Sequence, residues 1–177
     1  MLYIETGTEN AILRKKSQPV LQITKDIKRL LKKMEEAMLD ESGIGLAAPQ
    51  VGVHLRVILI TIFKEFIAKD GKIEYEEDKI LPMINPVITS FSVDTEMGEE
   101  GCLSIPGFYD NVRRSKAVEV EFLDLSGKKQ KIRLSGLNAR EVQHEIDHLD
   151  GKLFTDYLEP EKVERANKIV EKKLMEK

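Results

Sequence analysis

The residues of this chain best spaced for chemistry are Gln143-His144-Glu145-Ile146-Asp147-His148, an H-E-x-x-H pattern. Residues i and i+4 on a helix face the same way, with Cβ atoms ~5–6 Å apart. Two imidazole nitrogens holding one ion tetrahedrally at ~2.0–2.1 Å must lie about 3.3 Å apart, which side chains leaning together from that spacing can reach. The glutamate between them stands where it can take a proton from water activated by the ion. The bland alternative is two core histidines flanking a solvated glutamate. A helical wheel argues against it. Ala139, Val142, Ile146 and Leu149 fall within about 80° and form an ordinary packing stripe, whereas His144 and His148, about 40° apart, lie opposite with Leu137 beside them. Arg140, Gln143, Asp147 and Asp150 fill a third, polar sector.

A catalytic ion usually has three protein ligands and one open position. No histidine follows His148, and of the acids downstream (Asp150, Asp156, Glu159, Glu161, Glu164) Asp150 points into the polar sector. The better donor is upstream. Cys102, the only cysteine, sits in Glu100-Gly101-Cys102-Leu103-Ser104-Ile105-Pro106-Gly107. Gly101 allows close backbone approach, and Pro106-Gly107 is expected to turn the chain straight afterwards. Beside a cation the thiol would ionise and bind at ~2.3 Å. A nucleophilic cysteine served by His144 is the competing chemistry, but it leaves His148 and Glu145 without a role; an inert buried thiol is the structural reading.

A third segment, Gly43-Ile44-Gly45-Leu46-Ala47-Ala48-Pro49-Gln50-Val51-Gly52, is dense in small residues. It lacks the G-K-[ST] of a phosphate loop, and it suits a backbone running close to a ligand or another element. A tight helix-to-strand connection reads equally well from this segment alone. The Gln50 amide matters only if it points at the ion, where it could stabilise an oxyanion.

These groups need elements to position them. A helix is expected from near Thr24, a capping residue, with Ile27, Leu30, Leu31, Met34 and Met38 on one face and Gly43 beyond its end. His54 to Phe63 read as a largely buried strand. The charged stretch 64–79, with an Asp70-Gly71 turn signal, reads as an excursion hairpin or loop. Strand character returns from Ile80 to Phe91, where Pro82 and Pro86 demand an edge position or interrupted pairing. Val118, Val120 and Phe122 alternate with Glu119 and Glu121, and Ser126-Gly127 turns the chain into Lys131–Leu134 as a hairpin. A second helix spans about Ser135 to Asp150, stopped by Gly151. A third runs from about Pro160 with Val163, Ala166, Ile169, Val170 and Leu174 on a stripe. Helices apart from hairpin-joined strands give an α+β class with mainly antiparallel sheet around the H-E-x-x-H helix.

Composition limits what such a protein can be. At 177 residues the chain fits one domain, 1–177, with a real core. Acidic and basic residues are interleaved at a net charge of −3, which excludes a face built to neutralise phosphates and makes sequence-specific nucleic acid a poor partner. No apolar run approaches the ~20 residues of a membrane span, and the first residues lack a signal-peptide h-region, so a cytoplasmic protein is expected. With one cysteine no intrachain disulfide forms. Three functions remain: a hydrolase with Cys102 as third ligand, a peptidase of the H-E-x-x-H type with a different third ligand, and a structural zinc module, which would need four protein ligands.

Taken together, the segments Gly43 to Gln50 (G-Φ-G-Φ-A-A-x-Q, Φ hydrophobic), Glu100 to Ser104 (E-G-C-L-S) and His144 to His148 (H-E-x-D-H) resemble the peptide deformylase family, in that family's order and without departure at any motif position. The resemblance implies a hydrolase that removes formyl from the N-terminal formyl-methionine of nascent polypeptides and releases formate. It implies Cys102, His144 and His148 as metal ligands, Glu145 as the proton carrier, and Gln50 with the Leu103 N–H as oxyanion donors. Backbone around Ile44, Gly45 and Gly101 would take the peptide as an added strand, and Leu137 matches a position lining the methionine pocket. Arg140 and Glu141 fall at neighbouring pocket positions that are apolar in some relatives. Fe(II) is the ion expected physiologically, with zinc, nickel or cobalt able to replace it in a preparation. The stretch 64–79 resembles an insertion relative to compact members. The C-terminal stripe reads first as core packing, with weak ribosome association a secondary expectation.

Overall fold

A computed structural model describes residues 2–68 and 72–176. Helix α1 covers Lys25–Asp40, capped by the Thr24 hydroxyl accepting from the Ile27 N–H, and it buries Ile27, Leu31, Met34 and Met38. Its end is closed by Ser42 in the left-handed region, with the Gly43 N–H donating to the Met38 carbonyl at 2.8 Å. Strands β1 (Gly45–Ala47), β2 (Val57–Ile67) and β3 (Ile73–Phe91) follow, then β4 (Thr95–Cys102), β5 (Ile105–Ser115), β6 (Ala117–Leu123) and β7 (Lys129–Ser135). Helix α2 spans Gly136–Leu149 and α3 spans Pro160–Met175. The segment read as a glycine-rich turn thus contains a short strand and a 3-10 turn, Ala48–Val51.

The strands form a five-stranded antiparallel sheet in the order β1-β2-β3-β6-β7, and a separate β4-β5 hairpin. The run Val57–Ile60 is continuously apolar because both sheet faces are covered. Side chains alternate across a strand, so Ile58 and Ile60 pack with Met83, Val120 and Phe122 against Val142, Ile146 and Leu149 of α2. Val57 and Leu59 turn the other way, against Leu31, Met34 and Met38 of α1. A third cluster joins Phe108 and Val112 of β5 to Phe154, Ala166 and Val170. The class is α+β with a central helix, as expected.

Both prolines of β3 are accommodated as their chemistry requires. Before Ile84, β3 is paired on one side only, with β2, and Pro82 lies there. Pro86 falls where pairing with β6 jumps from Ile84↔Leu123 to Val87↔Glu121, beside Asn85 at φ 53. The excursion 64–79 is a prolonged β2–β3 hairpin; its expected Asp70-Gly71 turn lies outside the described residues. Two expectations need correction. Pro106-Gly107 does not reverse the chain: Leu103-Ser104 does, between paired Cys102 and Ile105, and Pro106-Gly107 form a bulge in β5 with Gly107 at φ 80. On α3 the buried stripe is narrower than the sequence suggests, with Ala166 and Val170 buried and Leu174 50% exposed.

Ile60 is fully buried between the sheet and α2. Ile60→Ala is expected to lower unfolding free energy by about 2–5 kcal/mol, read as a lower urea midpoint. Val87→Ala, at a half-exposed position, should stay within about 0.5 kcal/mol of the parent.

Candidate active site

Helix α2 carries both histidines and is enclosed on all sides: every residue from Ala139 to Ile146 is buried. Its apolar stripe faces the sheet. Its polar sector faces the β4–β5 hairpin rather than water. Gln143 Nε2 donates to the Ser115 carbonyl at 3.0 Å. Asp147 accepts from Arg114 Nη1 at 2.5 Å and from the Tyr157 hydroxyl at 2.9 Å. Arg140 Nη1 donates to the Val112 carbonyl at 2.8 Å. On the sheet side Asn138 grips Phe63, accepting from its N–H and donating to its carbonyl, both at 2.9 Å.

The hub is Glu100, which the sequence reading quoted inside a motif but gave no task. Its Oε1 accepts from Arg114 Nε and Arg140 Nη1, both at 2.9 Å, and its Oε2 from Arg114 Nη2 and His144 Nδ1, both at 3.0 Å. Burial alone would raise its pKa, but the hydrogen bonds from His144 and Arg114 and their charge hold it down at about 2. Arg114, whose guanidinium also lies 4.6 Å over the Tyr157 ring, was missed as well. The only sequence signal was a second basic residue on an inward position of a strand.

With Nδ1 of His144 facing Glu100, the carboxylate–imidazole pair orients the ring as ligand-bearing histidines are commonly oriented. Cys102 Sγ and one nitrogen from each of His144 and His148 lie within 4.8 Å of one another. Sγ is 3.2 Å from His148 Nε2. Burial works to lower the pKa of His144, yet its hydrogen bonds with Cys102 and Glu100 and the charges of Cys102 and Glu145 carry it well above the ordinary value. That is the mark of a spot where negative groups converge and positive charge is favoured. His148 is held well below its ordinary pKa by burial and then by the charges of His144, Arg114 and Arg14, so its ring is neutral, as a ligand must be. Two imidazoles and a thiolate form a donor set that suits a borderline divalent metal.

Around this cluster opens a cavity of about 480 Å³, lined by Ile44, Gly45, Gln50, Gly101, Cys102, Leu103, Leu137, His144 and Glu145. His148 lies behind it, 1% exposed. Gln50 is held by its own turn, its Oε1 accepting from the Ala47 N–H at 2.7 Å. Its Nε2 donates to Cys102 Sγ at 3.4 Å and to Ser104 Oγ at 3.2 Å. The N-terminal segment fastens the two sides together: the Glu5 N–H donates to the Gln50 carbonyl at 2.8 Å and the Gly7 N–H to the Ser104 carbonyl at 2.9 Å. Glu145 is buried with Oε2 lacking a hydrogen-bond partner among the described residues, and burial holds its pKa up at about 7. Gly45 is what lets it stay: a Cβ there would stand 2.5 Å from Glu145 Oε1.

Three of the five acids that could have completed a peptidase-like site are occupied elsewhere. Asp150 pairs with Arg56 at 2.7 Å, Asp156 with Arg14 at 2.7 Å, and Glu164 with Lys168 at 2.6 Å. Among the described residues the metal-capable cluster has three members, short of the four that close a structural site.

Comparison with known proteins agrees with this geometry. The family model for polypeptide deformylase matches residues 3–164. A peptide deformylase of Roseiflexus castenholzii is 43% identical over 159 residues, covering 88% of this chain and 86% of its own. The crystal structure of peptide deformylase from Ehrlichia chaffeensis superposes with a TM-score of 0.90 at 38% identity, covering 99% of this chain and 97% of that one. A class I type b peptide deformylase from Acinetobacter baumannii, solved with Met-Ala-Ser bound, gives a TM-score of 0.79 at 34% identity over 89% of this chain and 98% of that one. An upstream cysteine closing on an H-E-x-x-H helix is what set the sequence apart from peptidases, and on these matches the chain belongs to the polypeptide deformylase family, metal-dependent hydrolases that remove the formyl group from the N-terminal methionine of newly made polypeptides.

Proposed function

We propose that Cys102, His144 and His148 hold one divalent ion for this reaction, that Glu145 is its general base and acid, and that Gln50 Nε2 and the Leu103 N–H meet the charge that forms on the formyl oxygen. The observation that carries the reading is the convergence of Sγ and two ring nitrogens within 4.8 Å beside a glutamate with an unpartnered buried oxygen. When bound, the ion supplies Lewis acidity, activating water and polarising the formyl carbonyl. A Glu145 oxygen takes the proton of the attacking water and delivers it to the departing amine nitrogen, leaving formate and a free amino terminus. A pKa near 7 suits both halves of that exchange. Gln50 has its two amide protons on Sγ and Ser104 Oγ, so serving the oxyanion means trading one of those bonds for a stronger, charge-assisted one.

For the substrate backbone, β1 is the outer strand of its sheet and β4 is paired on one side only. Each offers an unpaired edge to the cavity, at Ile44-Gly45 and at Gly101, and a peptide can add there as a strand. Leu137 lines the space for the first side chain. The reading takes 1–177 as one catalytic unit acting in the cytoplasm on formyl-methionyl chains as they are made. Fe(II) is the working ion, with zinc, nickel and cobalt able to occupy the same donors. A weak ribosome contact would use the outer face of α3, where Leu174 and Met175 are exposed.

Glu145→Gln should keep its metal while formate release falls by about 10²–10⁴; Cys102→Ser should lose the metal, and a full complement in that variant by elemental analysis would remove Cys102 from the ligand set. Gln50→Ala should lower kcat by about 10²–10³ while the protein still folds, and near-normal turnover would end its assignment as an oxyanion donor. Stripping the ion with a chelator should abolish turnover. Anaerobic reconstitution should restore it best with Fe(II), and higher activity with zinc would reverse that choice.

A further inference from the structure

One group on the cavity wall has no part in that mechanism. Glu141 is 5% exposed and sits one helical turn after Leu137 and one before Glu145, and all three line the cavity. Its Oε1 accepts from the Thr61 N–H at 2.9 Å, a donor shared with the Ile44 carbonyl at 2.7 Å. Its Oε2 is buried and has no hydrogen-bond partner among the described residues. The adjacent guanidinium does not serve it, since Arg140 is committed to Glu100 and to the carbonyls of Glu96, Gly98 and Val112. Burial, reinforced by the charge of Glu145 and only partly offset by the Thr61 hydrogen bond, pushes Glu141 up to about 9. At neutral pH it is therefore a carboxylic acid with an O–H to donate. Buried polar groups nearly always find a partner, and here the protein supplies none for Oε2.

We propose that Glu141 is a specificity residue whose carboxyl O–H donates to the thioether sulfur of the substrate's first side chain, distinguishing methionine from an apolar side chain of equal length. This rests on the site reading above, in which the formyl carbon lies by Cys102, His144 and Glu145, so that the side chain next to it enters the cavity along Leu137 and Glu141. A thioether is a weak acceptor. The discrimination comes as much from the wrong side chain: norleucine replaces sulfur by a methylene and leaves the buried donor unpaired, whereas a purely apolar pocket separates such isosteres poorly.

The test compares formate release from formyl-Met-Ala-Ser and formyl-norleucyl-Ala-Ser by the metal-loaded enzyme, as the ratio of kcat/KM values. The parent should favour methionine by about three- to tenfold. Glu141→Met, unbranched and of similar volume, should bring the ratio to about one, and Glu141→Leu gives the same reading should the first variant fold poorly. Glu141→Gln keeps an N–H donor and should retain most of the preference. A parent without preference, or a ratio unchanged in the apolar variants, overturns the inference and leaves Glu141 as a structural acceptor for Thr61. No formate from either peptide with the parent enzyme would instead overturn the site reading, and this inference with it.

Discussion

The Glu100 carboxylate is the interaction on which the rest of this structure depends, because it gathers Arg140 and His144 of the histidine-bearing helix and Arg114 of the cysteine-bearing hairpin on one group. It is 6% exposed and accepts from two guanidinium groups and an imidazole. A buried carboxylate without partners costs several kcal/mol, and deleting one partner of a buried ion pair typically costs about 3–5 kcal/mol. The network is therefore close to all-or-none: with Arg114, Arg140 and His144 in place it fixes how far β4 stands from α2. Ring stacking supplements it on that side, Phe154 lying 6.0 Å from both His144 and Phe108 of β5, while the apolar stripe of α2 faces the sheet.

The opposite side of α2 is fixed by a different kind of contact. Asn138 and Glu141 bond to the backbone of β2, at Phe63 and Thr61. The neighbouring strand β1 then runs so close to the helix that a Cβ at position 45 would displace the Glu145 carboxyl. The helix is thus held between two backbones by side chains that are polar in sequence and buried in the fold. This rigidity has chemical value, because donors aimed at a developing charge help only if they need not reorganise when it forms.

Those facts explain which parts could be read from the sequence. The histidine face of α2 was legible since a helix imposes a fixed period, and two histidines with a glutamate between them stand out against an apolar stripe at that period. The cover over the polar sector was not legible. Arg140, Gln143 and Asp147 look like a solvated face, but the β4–β5 hairpin buries Arg140 and Gln143 and, with Tyr157, covers part of Asp147. That hairpin itself escaped the strand pattern, as Gly98 and Gly101 interrupt it and its inward positions hold Glu100 and Arg114 where apolar residues would advertise burial. Pro106-Gly107 drew the turn to the wrong place because a bulge and a turn ask for the same residues.

The hairpin also accounts for why the third donor lies upstream of the histidines. Side chains two apart on a strand share a face, so Glu100 and Cys102 both point at α2, one meeting the outer nitrogen of His144 and the other the inner side of the cluster. Gly101 between them has its α-carbon against the Tyr109 ring and leaves the strand edge open. Leu103 and Ser104 make the turn, which puts Leu103 on the cavity wall and gives Gln50 a hydroxyl to hold. Five consecutive residues thereby orient a histidine and supply the proposed third ligand, the proposed peptide edge and the proposed oxyanion donor. A ligand taken from beyond His148 would separate these tasks, since the chain leaves α2 at Gly151 in the direction of Arg14, where Asp150 and Asp156 are already bound to arginines.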